Sequence, residues 1–272
     1  MPFVHNFGHH DMGEDLLFRR RIALSARYER NRGELRVALE DDFHHFRLAI
    51  EHRDERISNI QGQSLRIPYS LCPAAANQLC ALVHTPLSAA SVMAGTDPHA
   101  QCTHLMDLAA LSAGAAARRV DQRRYDVEIP SRVAGHTTAR VSIDGTLTLS
   151  WKIQHLTILA PEPFAQHGVG TGFAHWALAS LPDELATAAL VLRRCVIISL
   201  GRSRNLDAVA HARPTGHCYV QQRERAPTAQ RMIGSTLDFS HAPERLCASD
   251  ASWLTFEDTH AEKFSTDQVR RD

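Results

Sequence analysis

The segment QCTHLMDLAAL, residues 101–111, places a thiol, an imidazole and a carboxylate within six residues, where an apolar helical pattern begins. His104 and Asp107 are three apart, so a helix puts them on one face. A carboxylate that holds an imidazole tautomer prepares a general base. Cys102 falls near the helix start, where unpaired amide hydrogens favour negative charge and lower a thiol pKa. Cys72 occupies the matching place before an earlier helix that Pro73 opens. If the two thiols face each other, Cys72, Cys102 and His104 form a soft three-ligand site for zinc or iron, with Asp107 as ligand or orienter. The plain alternative is two buried cysteines acting as small hydrophobes: C-x-H is not a standard zinc spacing, and C-x-x-C occurs nowhere.

Seventeen histidines are an unusual stock of groups that trade protons near neutral pH. His44 and His45 separate by strand parity. His44 shares a face with Phe46, Leu48 and Ile50, and His45 lies on the other face with Phe43, Arg47 and Ala49. One of the pair therefore faces the helices and the other faces away. Asp41 and Asp42, just before, add carboxylates on both faces. Further along, Arg202, Arg225 and Arg231 are candidates to hold a substrate carboxylate through forked hydrogen bonds. Tyr219 and His217 are candidate proton donors, and ion pairs that fix the C-terminal segment are the competing account of the same cluster. The loop HGVGTGFAHW, residues 167–176, lacks the dinucleotide spacing and reads as a lid or strand exit flanked by His167 and His175. No G-x-S-x-G, Walker loop or H-E-x-x-H occurs.

The elements that must position these residues follow from periodicity. Ile22, Leu24 and Ala26 alternate with polar neighbours, a turn falls at Asn31–Gly33, and Leu35, Val37 and Leu39 resume the alternation. A third strand is expected in FHHFRLAIEH, a fourth around Ile57–Ile60 and a fifth in SLRIPYS. A helix is expected from Pro73 to about Leu82 and a second through Leu105, Leu108 and Leu111. Strands return after Arg119, with a hairpin turn at Asp144–Gly145. A helix then starts near Pro182 and stops at Gly201, and one more is expected around Thr228–Ile233. Strands grouped ahead of helices predict an α+β fold: antiparallel meanders followed by packed helices, repeated in two halves over 18–120 and 121–257, with flexible ends at 1–17 and 258–272.

The chain of 272 residues balances thirty basic against thirty acidic side chains, which gives no electrostatic reason to bind nucleic acid. Lysine Schiff-base chemistry has only Lys152 and Lys263 to draw on. No apolar stretch reaches the length of a membrane span, and the N-terminus lacks a signal peptide's basic start and apolar middle. A cytoplasmic protein without a membrane partner is expected, its six scattered cysteines reduced.

RRRIALSARYERNRGELRVALEDDFHHFRLAIEH, then SLCPAAANQL, then QCTHLMDLAAL, together resemble the bacterial domain-of-unknown-function family 2889. The resemblance spans about residues 18–240 and is most specific at Cys72-Pro73 and at Cys102-Thr103-His104-Leu105. His44 or His45 matches a strand histidine of that family, although many members have His-Asp where this chain has His-His. The resemblance implies no settled activity, only a loose association with bacterial small-molecule pathways. The expected function is thus a lyase of small-molecule catabolism, a possible homodimer that needs no cofactor and cleaves a C–C or C–O bond of an aromatic or hydroxylated acid. His104 would be the base, Asp107 its orienter, His45 or Tyr219 the acid, and Arg225 or Arg231 the anion clamp. The alternatives are a zinc- or iron-dependent hydrolase or lyase using Cys72, Cys102 and His104, and a non-catalytic binding or assembly protein.

Overall fold

The computed structural model describes residues 16–95, 97 and 99–257. Its centre is one antiparallel sheet of eight strands in the order β4-β3-β2-β1-β5-β6-β7-β8. The strands are β1 (Leu17–Glu29), β2 (Arg32–Asp41), β3 (His45–Arg53), β4 (Arg56–Arg66), β5 (Gln122–Pro130), β6 (His136–Ile143), β7 (Thr146–Gln154) and β8 (Thr157–Ala160). A 3-10 helix (Cys72–Leu82), α1 (Ala89–Ala94) and α2 (Thr103–Ala117) follow the first four strands. α3 (Phe173–Ser180) and α4 (Asp183–Ile198) follow the second four, and α5 (Ala251–Leu254) is a single turn near the C-terminus.

The α+β class follows from the two periodicities. Alternate residues of each strand face the helices: Phe18, Ile22 and Leu24 of β1, Leu35, Val37 and Leu39 of β2, and Phe46, Leu48 and Ile50 of β3 are all buried. α2 lies over β2 and β3, and α4 over β5, β6 and β7. α2 is buried on nearly every side, as its Ala/Leu composition allows. The Asp144–Gly145 turn has positive φ at both residues, 50° and 85°, and joins Ile143 to Thr146 as a two-residue hairpin. The boundary expected at 120/121 falls between α2 and β5, yet the two segments share one sheet. β1 pairs with β5 from Leu17–Pro130 to Ser25–Gln122.

The opposite face of β1 to β3 carries arginines, and the C-terminal segment crosses it. Arg19, Arg21 and Arg27 donate to the carbonyls of Ser240, Leu246 and Thr255 at 3.1, 3.2 and 2.8 Å. The Arg36 guanidinium lies 4.4 Å from the ring centres of both Trp253 and Phe256.

Several expectations are corrected. The fourth and fifth strands are one, β4. Gly62 within it is a close approach rather than a break, since a Cβ there would lie 2.8 Å from Leu79 Cδ1. Residues 72–82 wind as a 3-10 helix. The segment 228–233 is extended, bridging through Gln230 to His211 and through Arg231 to Tyr69. Part of the glycine-rich loop is the start of α3. The ends expected to be flexible lie outside the described residues except for Leu16 and Leu17, and Leu17 opens β1. Among the described residues no helix is long and apolar enough to cross a membrane.

Candidate functional site

Arg20 and Asp41 are register partners on β1 and β2, and both point toward the helices. Arg20 therefore places a charge in the stripe of Phe18, Ile22 and Leu24, at 2 % exposure. A charge so placed needs a partner. Asp41 supplies it: Arg20 Nε donates to Asp41 Oδ2 at 2.8 Å, and Nη2 donates to the same oxygen. Asp41 also ends β2 and folds the chain back. Its Oδ1 accepts the backbone N–H of Phe43 at 2.7 Å and of His44 at 2.8 Å, an Asx-type corner, and lies 3.1 Å from His44 Nδ1.

Burial alone would raise the Asp41 carboxyl, but Arg20 and then His44 overcome it and hold the group well below its ordinary range. An ionised carboxylate only accepts, so His44 Nδ1 carries the proton and Nε2 presents a lone pair. Beside it stands His104, from the first turn of α2. The two imidazole centres are 4.0 Å apart, and the His104 ring stacks on Phe46 at 5.6 Å. Burial lowers the pKa of both rings; Asp41 partly opposes the fall at His44, and the charges of His44 and Arg20 deepen it at His104. Both are neutral imidazoles at pH 7. His104 Nε2 is buried without a hydrogen-bond partner among the described residues, a vacancy that costs about 1–3 kcal/mol.

The remaining sequence candidates sit elsewhere. Asp107 shares the helix face of His104, but α4 claims it: Arg194 Nε and Nη2 take its two oxygens, the second at 3.1 Å. The carboxylate-held imidazole is therefore His44 with Asp41, and Asp107 does not orient His104. His45 is on the other face of the sheet, where Nε2 lies 2.8 Å from Asp250 Oδ2 and Nδ1 lies 3.6 Å from Glu40. Tyr219 lies under the Arg225 guanidinium at 4.0 Å. Arg231 is held by Asp207 at 2.9 Å, by the Pro68 carbonyl at 3.0 Å and by Thr236 at 2.8 Å. Arg202 reaches Asp238 at 3.1 Å and Asp42 at 3.4 Å. His217 is exposed. These arginines are held by separate partners, Asp42 and the Pro68 carbonyl among them, and form no common clamp.

The soft metal site is not assembled. Among the described residues, the one set of three such side chains with ligand atoms within 4.8 Å of one another is Asp41, His44 and His104. Cys72 instead packs in a small cluster with Val220, Ala226 and Ala229. Cys102 sits at the start of α2 as expected, but its thiol is pushed up to about 11: burial outweighs the amides of Leu105 and His104 that pull it down. Two neutral imidazoles and a carboxylate suit zinc or iron(II). However, Arg20 already neutralises Asp41, so the carboxylate needs no cation to be stable there.

Arg20 carries no signal by residue type in the run Arg19-Arg20-Arg21. Its signal is the parity it shares with Phe18 and Ile22. Asp42, next to the cluster, was also legible only as one of a pair. It is fully buried, neither oxygen has a hydrogen-bond partner among the described residues, and burial pushes its carboxyl up to about 8. A carboxyl raised in the fold contributes stability that is complete below its ordinary value of 3.8 and lost as pH rises through about 8. Asp42→Asn is expected to flatten that decline. Urea unfolding at pH 5 and pH 9 should show a smaller pH-dependent loss for the variant, and equal losses would refute the assignment.

No family model and no curated protein matches this chain.

Proposed function

We propose that the protein is an enzyme of small-molecule catabolism, a lyase that breaks a C–C or C–O bond of an aromatic or hydroxylated acid by proton transfer, with His44 as general base. One observation carries the reading: a buried carboxylate holds His44 so that its lone pair is on Nε2, against a second imidazole whose Nε2 is unpartnered. Neutral imidazoles are the form a base needs at neutral pH. For a β-hydroxy substrate, His44 Nε2 removes the hydroxyl proton and the adjacent C–C bond breaks. The released electron pair stays on the departing carbon, which takes the proton back from the imidazolium. Asp41 stabilises that imidazolium, and His104 positions the leaving fragment through its Nε2. The substrate class rests on the resemblance to family 2889. The succession of four strands and helices followed by four strands and helices supports reading the chain as two halves of one rhythm.

Substrate must reach rings that are only 8 % and 6 % exposed. The segment 199–240 is bonded close by, through Leu237 N–H on the Asp42 carbonyl at 2.7 Å and Tyr219 N–H on the Gln101 carbonyl at 2.9 Å, and is further tied to the β4 end by Ser70 N–H on the Gln230 carbonyl and Met232 N–H on the Pro68 carbonyl.

A screen of hydroxy acids and aromatic acids for turnover tests the proposal. His44→Ala is expected to lower kcat at least about a hundredfold while the substrate still binds. Wild-type turnover by His44→Ala would end the proposal, and binding without turnover by the native protein would make it a binding protein. A second reading, a zinc or iron(II) enzyme, is favoured by the 4.8 Å grouping of Asp41, His44 and His104. One equivalent of metal in the purified protein, lost in His104→Ala, would select it.

A further inference from the structure

At the far end of the same strand that leads away from His44, β3 finishes at a second histidine whose surroundings have no part in the chemistry above. His52 faces the helices and is 6 % exposed, and neither of its ring nitrogens has a hydrogen-bond partner among the described residues. Burial and then Arg119 lower its pKa, so the ring is neutral and must offer one N–H and one lone pair. Its place is cleared by Gly33, its register partner on β2: a Cβ there would lie 2.5 Å from His52 Nε2. The ring borders a hollow of about 470 Å³ between two hairpin turns and the C-terminal end of α2. That volume suits a small organic molecule.

The charges that line the hollow balance: two are positive and two negative. Arg30 and Arg119 line it, and neither forms an ion pair among the described residues; the Arg119 guanidinium is fixed 4.7 Å over the Tyr28 ring. Asp54 and Glu55, the tip of the β3–β4 turn, line it too and likewise form no ion pair. Two guanidinium groups and two carboxylates leave the lining without net charge, so it favours neither a simple anion nor a simple cation overall. They complement a molecule that carries both charges. The end of α2 adds its carbonyls near Ala116 and Ala117, which favour positive charge.

We propose that this hollow binds a small zwitterion of the α-amino-acid class. The ligand carboxylate pairs with Arg119 and Arg30, the ammonium lies toward Asp54 and Glu55, and the His52 ring forms the wall against which the ligand packs. The site is separate from the His44 cluster and does not depend on its activity.

Titration calorimetry on the full chain tests this with single L-α-amino acids, each compared with the matching carboxylate that lacks the amine and the matching amine that lacks the carboxylate. At least one amino acid is expected to bind, with both half-molecules at least tenfold weaker. Arg119→Gln, an exposed change that leaves the core intact, should weaken binding at least tenfold, and His52→Gln should do the same. His44→Ala should bind as the native protein does. If no amino acid binds, if the carboxylate alone binds as well, or if Arg119→Gln leaves affinity unchanged, the proposal is overturned. Should His52→Gln fail to fold, the Arg119→Gln result decides.

Discussion

Asp41→Ala is expected to lower the free energy of unfolding by about 3–5 kcal/mol, the usual cost of stripping one partner from a buried ion pair. The variant leaves the Arg20 guanidinium 2 % exposed and without a countercharge, and it frees the backbone N–H groups of Phe43 and His44 that shape the corner. Asp41→Asn keeps the shape but not the charge, so it should fall between the two. The pH dependence carries a sign. The Asp41 carboxyl is depressed in the fold, so its contribution is present above the ordinary value of 3.8 and lost as pH falls below it. Two imidazoles buried neutral act in the same direction, beginning as pH falls through 6.5. The native protein should therefore weaken in acid in two stages, and the difference between it and Asp41→Ala should shrink below pH 3.8. Urea unfolding across pH 3 to 8 measures both. A loss under about 1 kcal/mol at pH 7 would mean that Arg20 finds water or another partner. His44 would then lose the electrostatic frame that makes it a base.

Trp151→Ala should cost a similar amount, about 3–5 kcal/mol, through the other half of the sheet. Trp151 is fully buried on β7 and packs against Phe164 at 5.2 Å and Phe173 at 5.6 Å. Removing the indole leaves a void that β7, pinned between β6 and β8, is poorly able to close. Trp151→Phe is the informative control. It keeps an aromatic ring and removes an indole N–H that has no partner among the described residues, so its loss should be well under half that of the alanine variant. Thermal and urea unfolding, with near-ultraviolet circular dichroism to report the Trp151–Phe164–Phe173 group, give the comparison. Equal losses for the two variants would show that the site requires the full indole and that a smaller aromatic ring does not fill it.

Strand periodicity was the most legible signal because burial on one face enforces it. The alternation in β1, β2 and β7 could be read directly, and the same parity put His44 beside Phe46 and His45 on the far side. Some glycines have tertiary causes that no local pattern reports. Gly62 makes room for Leu79, and Gly201 makes room for Phe43, whose Cζ a Cβ would meet at 2.8 Å. The buried residues Cys72, Ala75, Leu79 and Leu82 repeat every three or four positions, a spacing that α and 3-10 helices both satisfy. The cluster itself was half legible. His104 and His44 stand out by type, but the partner of His44 comes from a strand register, which no local spacing reports. His104 and Asp107 do share a helix face, yet a shared face says nothing of a guanidinium arriving from α4.

The junction of β1 with both β2 and β5 bears on how the chain is made. During synthesis β1 leaves the ribosome first and can pair with β2 almost at once, but Leu17 must wait for Pro130 before its other side is filled. Through that interval the nascent protein carries a strand of 13 residues with an open hydrogen-bonding edge in what becomes the middle of the sheet. The odd-numbered side of that strand carries Arg19, Arg21 and Arg27. Their like charges discourage two nascent chains from zipping together before β5 is translated.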